Sequence, residues 1–107
     1  MAMTEEEYDE VVMNLIVAGG NARSLSMEAI QAAKQGDFSK ANALLEECEE
    51  ALGQAHNAQT DMIRAEIRGE HQKVMLLMVH AQDHVMDAMV VKDLAREFVE
   101  LYEKMQG

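Results

Sequence analysis

The residues most capable of chemistry in this sequence are four ionisable side chains between positions 80 and 87. At about 100° of rotation per helical residue, His80, Asp83, His84 and Asp87 share one narrow face of a helix. The surrounding run, residues 74–91, is otherwise rich in Val, Met and Leu and predicts a buried helix. Because burying an unpaired carboxylate is costly, a cluster of this kind on an apolar face indicates a functional site.

His80 is the candidate nucleophile of this cluster. A neutral imidazole near pH 7 can accept a group covalently and pass it on. His84 lies one turn further along and Asp83 lies beside both, so hydrogen bonds could fix the His80 tautomer. A lone histidine on an apolar helix is more often a satisfied core residue, but His80 has these neighbours. No Ser or Cys stands in the cluster for acyl transfer, and no glycine-rich phosphate loop implies a nucleotide cofactor.

Asp83 has three interpretations. It could orient a histidine, ligate a metal, or lie at a symmetry axis where several copies of the chain converge. Converging carboxylates need a bound cation or protonation, and a hard divalent cation suits oxygen ligands. His80 and His84 could instead chelate a transition metal, although Ala81 stands where the zinc-protease motif requires Glu. A generic zinc site has too few certain ligands.

The rest of the sequence predicts three long helices. A Thr4–Glu7 capping box begins the first, and Gly36-Asp37 ends it and begins the second. Gly69 ends the second helix, and the third begins within residues 71–74 and runs to about Lys104.

Regular spacing of apolar and small residues predicts how these helices pack. The Gly19-Gly20 pair predicts close helix approach, because glycine carries no Cβ. Spacings of three and four across tight turns favour an all-α fold, an antiparallel three-helix up-down-up bundle forming one domain over 1–107. The third helix is apolar almost all round, which predicts self-association through it. The main predicted core stripes are Tyr8, Val12, Leu15, Gly19, Ala22, Ser26, Ala29 and Ala33 in the first helix, and Phe38, Ala41, Leu45, Cys48, Leu52, Ala55, Gln59 and Met62 in the second. A parallel stripe of the first helix consists of Val11, Leu15, Ala18, Ala22, Leu25 and Ala29.

Composition excludes several classes of function. A formal net charge of −11 argues against nucleic-acid binding and favours partners with basic patches. No stretch approaches the roughly 20 apolar residues of a membrane span, and the acidic N-terminus is no targeting peptide. Cys48 is the only cysteine, so no internal disulfide forms, and its spacing predicts a core residue. These features are typical of a cytoplasmic protein.

Several motifs together point to one family. Read in order, they resemble those of enzyme IIA of the lactose/cellobiose type of sugar phosphotransferase system, which includes the N,N′-diacetylchitobiose branch. The His-x-Gln-Asp-His block is the most specific of them, and the likeness covers nearly the whole chain from about Glu6. The matching residues are Gly20-Asn21-Ala22-Arg23-Ser24, Ala32-Ala33-Lys34-Gln35-Gly36-Asp37-Phe38, Glu50-Ala51-Leu52-Gly53-Gln54-Ala55-His56, Gln59-Thr60, His80-Ala81-Gln82-Asp83-His84-Val85-Met86 and Leu101-Tyr102-Glu103-Lys104.

This resemblance implies a phosphocarrier that assembles as a homotrimer of three-helix bundles. His80 would take phosphate from phospho-HPr on Nε2 and hand it to a cysteine of the cognate IIB, which is coupled to the membrane component IIC. Asp83 would lie at the trimer axis and bind a divalent metal, with Mg²⁺ favoured and one ion per trimer. Gln82 and His84 would shape the site. Ala81 favours the diacetylchitobiose/cellobiose branch over lactose without settling the sugar.

Four residues complicate this interpretation. Gln82 lies about 200° around the helix from His80, so it can serve the same pocket only if neighbouring chains or helices contribute. No Lys or Arg falls within a turn of His80, and Asp87 stands where relatives carry a small hydroxyl residue. His56 is a second candidate with an equally good interpretation as an exposed residue, and His71 is expected to be solvated. The alternative function is a non-catalytic regulatory or metal-binding helical trimer.

Overall fold

Three long helices form the chain over residues 3–106, the part that the structure, a computed structural model, describes. Helix α1 spans Glu5–Lys34, α2 spans Phe38–Ile67 and α3 spans Leu76–Gln106. Short connections join them into a bundle of 54 × 21 × 19 Å, so successive helices run antiparallel. Helix α1 packs against both others, and the α2–α3 contact is the smallest. The predicted all-α up-down-up bundle is confirmed.

Helix α1 begins at the predicted capping box, where the Thr4 hydroxyl accepts a hydrogen bond from the Glu7 amide at 3.1 Å. Its connection to α2 follows the predicted stop–start signal. At the other end Gly36 has φ +81°, a backbone conformation that favours glycine. The next residue serves both helices: the Asp37 amide donates to the Ala32 carbonyl at 2.9 Å, and its carboxylate accepts from the Lys40 amide at 3.1 Å. A single residue therefore ends one helix and begins the next.

Helix α3 begins at Leu76, later than the predicted range of 71–74. Gly69 ends α2 as predicted, with φ +91°. The following segment, residues 68–75, stays non-helical, and the Tyr8 hydroxyl donates to the Lys73 carbonyl at 2.7 Å. That carbonyl has a side-chain partner on α1 in place of a helical amide, which explains the later start. The long-range contact joins residues 65 positions apart, which local sequence signals do not encode.

The spacing predicts the buried residues of α1 and α2 except Ala32. All eight residues of the main α1 stripe are buried, and Val11, Ala18 and Leu25 of the parallel stripe are half-buried. On α2, six of the eight stripe residues are buried, from Ala41 to Gln59, and the two end residues are half-buried. Cys48 is fully buried, its thiol donates to the Ala22 carbonyl at 3.2 Å, and burial raises the pKa of that thiol. The predicted core position of Cys48 is confirmed. No helix within residues 3–106 carries an apolar stretch long enough to cross a membrane.

Candidate functional site

His80 and His84 lie side by side, one turn apart on α3. Their Nε2 atoms are 3.0 Å apart and their ring centroids 4.4 Å apart, with the rings nearly perpendicular at 89°. In such a pair one nitrogen donates and the other accepts. When His84 donates, the Nε2 lone pair of His80 accepts that hydrogen bond and His80 carries its proton on Nδ1. The pair therefore selects the His80 tautomer that a nucleophile needs, and the lone pair becomes available when the hydrogen bond breaks.

The side of α3 that carries the cluster faces away from the bundle core. His80, Asp83 and Asp87 are exposed and His84 is half-buried. The prediction that this face is buried in the bundle is therefore wrong for the single chain. Helix α3 has two apolar sides, and the one with smaller residues packs inward because it allows closer helix approach. That inner side consists of Met78, Ala81, Val85, Ala88, Ala95 and Val99.

The outward side of α3 also carries large apolar side chains. Leu76 is 86% exposed, Leu94 53% and Met105 71%. At 100° per residue, Asp83 and Asp87 lie in line with them. An apolar stripe of this length on a helix marks an interaction surface. We call this surface the α3 stripe and define it as Leu76, Asp83, Asp87, Val90, Leu94, Leu101 and Met105.

Helix α1 approaches α3 closely beside His84. A Cβ added to Gly19 would lie 3.0 Å from the backbone carbonyl and the Cβ of His84. A real Cβ rarely comes so near to a backbone, so only glycine fits without movement. Gly20 has nothing within 4 Å of the equivalent point. The predicted close approach is confirmed at Gly19, and α1 thereby sets the position of one motif histidine.

Gln82 points to the opposite flank of α3, as its position in the helix predicts. There the buried Gln59 of α2 donates from Nε2 to the Gln82 Oε1. The Gln82 Nε2 in turn lies 3.7 Å from the Met78 sulfur. Sequence reasoning assigned Gln59 to the core and missed its link to the motif. An amide at a core position was the available signal, because buried polar groups need partners.

The two other histidines lie outside the His80–His84 pair. His56 is exposed on α2 and lines a shallow groove with Leu52 and Lys92. His71 is exposed in the 68–75 segment, where it was expected to be solvated. Lys92 forms a salt bridge of 3.0 Å with its neighbour Asp93.

A metal at Asp83 would need ligands from more than one chain. Within residues 3–106 of one chain, no group of three or more His, Cys, Asp or Glu side chains is arranged to hold a metal ion. Asp83 is exposed on the α3 stripe, so copies that meet along this stripe could bring their carboxylates together. Oxygen ligands of this kind fit a hard divalent cation.

The fold and the motif residues together define a phosphotransferase component of the IIA type. The sequence model described as "PTS system, Lactose/Cellobiose specific IIA subunit" matches residues 10–103. This chain belongs to that family. It is 51% identical over 100 residues to the lichenan-specific phosphotransferase enzyme IIA component of Bacillus subtilis, covering 94% of this chain and 91% of the relative.

Solved structures of related chains agree with the fold. The cellobiose-specific enzyme IIA of Bacillus anthracis superimposes with a TM-score of 0.89 at 45% identity, covering 97% of this chain and 94% of that one. The IIA(chitobiose) chain in a complex with HPr, from the N,N′-diacetylchitobiose branch of the Escherichia coli phosphotransferase system, gives a TM-score of 0.79 at 43% identity. That likeness covers 92% of this chain and 96% of the other.

Proposed function

We propose that this protein is a phosphocarrier that accepts a phosphoryl group from phospho-HPr on Nε2 of His80 and passes it to a cysteine of its cognate IIB. The observation that carries the proposal is the exposed His80 imidazole, with its Nε2 3.0 Å from that of His84, in a chain of the IIA family. A related IIA chain forms a complex with HPr, which supports HPr as the donor.

The transfer consists of two displacements at phosphorus. In the first, the Nε2 lone pair of His80 attacks the phosphorus, and the bond from phosphorus to its carrier atom on HPr breaks. In the second, the thiolate of the IIB cysteine attacks and the bond to Nε2 breaks, which returns the electron pair to His80. Between the two steps, while the phosphoryl group is on His80, the Nε2–H of His84 that had donated to the His80 lone pair can donate to a phosphoryl oxygen instead.

The charge around His80 favours onward transfer. Phosphoryl transfer depends mainly on positioning and on stabilising negative charge. The cations closest to His80 in sequence are Lys73 and Lys92, whereas Asp83 and Asp87 are its neighbours on α3. Basic residues of the partner would supply the missing positive charge. The net charge of −11 on this protein favours partners with basic surfaces. The phosphoryl group is then held weakly enough to leave.

The same proposal includes a homotrimer that meets along the α3 stripe, with one divalent cation held by three Asp83 carboxylates. An exposed apolar stripe that runs the length of a helix supports self-association. When bound, the cation would offset the repulsion between the converging carboxylates. It takes no part in the transfer, which His80 carries out.

Intact mass spectrometry after incubation with phosphoenolpyruvate, enzyme I and HPr tests the proposal. We expect one phosphoryl group per chain, labile in acid and stable in base. His80→Ala should acquire none, and His56→Ala, which removes another exposed histidine, should acquire the full amount. Circular dichroism should show all three proteins equally helical.

Two results would contradict this function. Wild-type protein that is folded and gains no mass would indicate a regulatory or metal-binding relative. A His80→Ala variant that still carries phosphohistidine would place the acceptor on another histidine.

A further inference from the structure

Gln59 is a polar side chain in an otherwise apolar part of the bundle. It is 6% exposed and, with Ser26, one of two buried polar residues within 3–106. Its amide nitrogen donates to Oε1 of Gln82 across the α2–α3 contact. Gln59 is therefore a buried side chain of α2 that forms a hydrogen bond with a residue of the His-x-Gln-Asp-His block.

This hydrogen bond decides which end of the Gln82 amide stays available. Its carbonyl oxygen is occupied by Gln59, so its NH₂ group is the end left to donate. The nearest acceptor for that group is the Met78 sulfur at 3.7 Å, and a thioether is a weak acceptor. The Gln82 NH₂ thus has donor capacity for a stronger acceptor, such as an anionic oxygen.

At 100° per residue, His80 lies about 40° from the middle of the α3 stripe and Gln82 about 120° from it in the other direction, on the flank next to α2. Within one chain they therefore face different ways. When helices associate along an apolar stripe, one flank of each helix faces the opposite flank of its neighbour, as in coiled coils. Association along the α3 stripe would accordingly bring Gln82 of one copy towards His80 of the next.

We propose that Gln59 is a positioning residue that holds the carbonyl oxygen of Gln82 towards α2, which leaves the Gln82 NH₂ group to donate to an oxygen of the phosphoryl group on His80 of a neighbouring copy. The proposal rests on the proposed function and adds a residue outside the motif. Gln59 touches neither the phosphoryl group nor the histidine and acts through Gln82 alone.

Replacing Gln59 with Glu tests this orientation. The variant is compared at a pH high enough to ionise the new carboxyl group, because an ionised carboxylate only accepts hydrogen bonds. Gln82 must then turn its NH₂ inward and present its carbonyl oxygen to the phosphoryl group. We expect uptake from phospho-HPr to slow about tenfold and the phosphohistidine to hydrolyse correspondingly faster, the scale of one hydrogen bond to a charged group. The matched control is Gln54→Glu, the same change at an exposed glutamine on the same helix, with no expected effect.

A spectroscopic readout separates positioning from general damage. In wild-type protein the Gln82 side-chain NH₂ resonances should shift on phosphorylation of His80. They should not shift in Gln59→Glu. Gln59→Met, which is apolar and of similar length, serves if the carboxylate prevents folding, and it should show the same loss. Combining Gln59→Met with Gln82→Leu should be no worse than Gln82→Leu alone, because both act through one hydrogen bond.

The outcomes distinguish this inference from the proposed function. Wild-type protein without phosphohistidine would overturn the function itself. A phosphorylated wild type, with unchanged uptake, lifetime and Gln82 resonances in Gln59→Glu or Gln59→Met, would overturn the role of Gln59 alone. Additive losses in the double variant would show that Gln59 has only a structural role.

Discussion

At the scale of single residues, the members of the motif have different surroundings. His84 is half-buried beside Gly19, and it supports an exposed His80 through the 3.0 Å contact between their Nε2 atoms. Gln82 is tied to α2 on the other flank of the helix. Asp83 is exposed on the α3 stripe. Four of these five consecutive residues thus divide between transfer, support and assembly in the function that we propose.

In the homotrimer that we propose, replacing Asp83 with Leu should abolish binding of a divalent cation and leave the trimer intact. Leu extends the apolar α3 stripe, and it removes the converging carboxylates together with their mutual repulsion. The measurement is metal content per chain by inductively coupled plasma mass spectrometry after gel filtration in magnesium. Asp87→Leu, one turn further along the same stripe, is the control and should keep the metal. Unchanged metal in Asp83→Leu would argue against the axial site.

At the scale of helices, the approach of α1 to α3 positions the site. The two helices approach closely at Gly19 and His84, where an added Cβ would come to 3.0 Å from the opposing backbone. Backbone cannot rotate away as a side chain can. The glycine therefore determines how near the two helices lie at His84, where the motif ends.

Gly19→Ala should lower the free energy of unfolding, whereas Gly20→Ala should raise it. Overpacking costs about 1–3 kcal/mol, and the gain in helix propensity from Gly to Ala offsets about 1 kcal/mol of it. A Cβ added at Gly20 would have no atom within 4 Å. Gly20→Ala therefore gains helix propensity without a cost of overpacking. Urea denaturation at one protein concentration measures both variants. A Gly19→Ala protein as stable as Gly20→Ala would show that the helices separate there without cost.

At the scale of the whole molecule, α3 is covered on only one side. Its inner side packs against α1 and α2, while its outer side exposes large apolar residues along the length of the helix. An apolar surface of this extent is unusual for a monomer. Self-association along the α3 stripe would bury it and would bring Asp83 of several copies together.

Leu94→Glu should dissociate the assembly into single chains. The substitution places a carboxylate in each α3 stripe, where converging copies would repel each other. Sedimentation equilibrium should give about three times the 12.0 kDa of one chain for wild-type protein and close to 12.0 kDa for the variant. Val17→Glu is the matched control, because Val17 is 57% exposed on α1 and Leu94 is 53% exposed. Equal masses for wild type and Leu94→Glu would exclude the α3 stripe as the interface.

The sequence by itself determined the helices, most of their ends and the side each of the first two buries. Capping at Thr4, the turn at Gly36 and the end of α2 at Gly69 depend only on residues nearby in the sequence. The local sequence therefore predicts them. The block from His80 to His84 was found as a site from its residue types, and the resemblance then indicated phosphoryl transfer.

Only the tertiary structure decided which side of α3 packs inward and what its polar residues touch. Two apolar sides compete on that helix, and the closer fit of the Ala-rich one is a property of the packed bundle. The later start of α3 follows from the Tyr8 bond to Lys73, and the orientation of Gln82 follows from Gln59. Each of these contacts joins residues far apart in the chain, and periodicity within one helix carries no information about its partners.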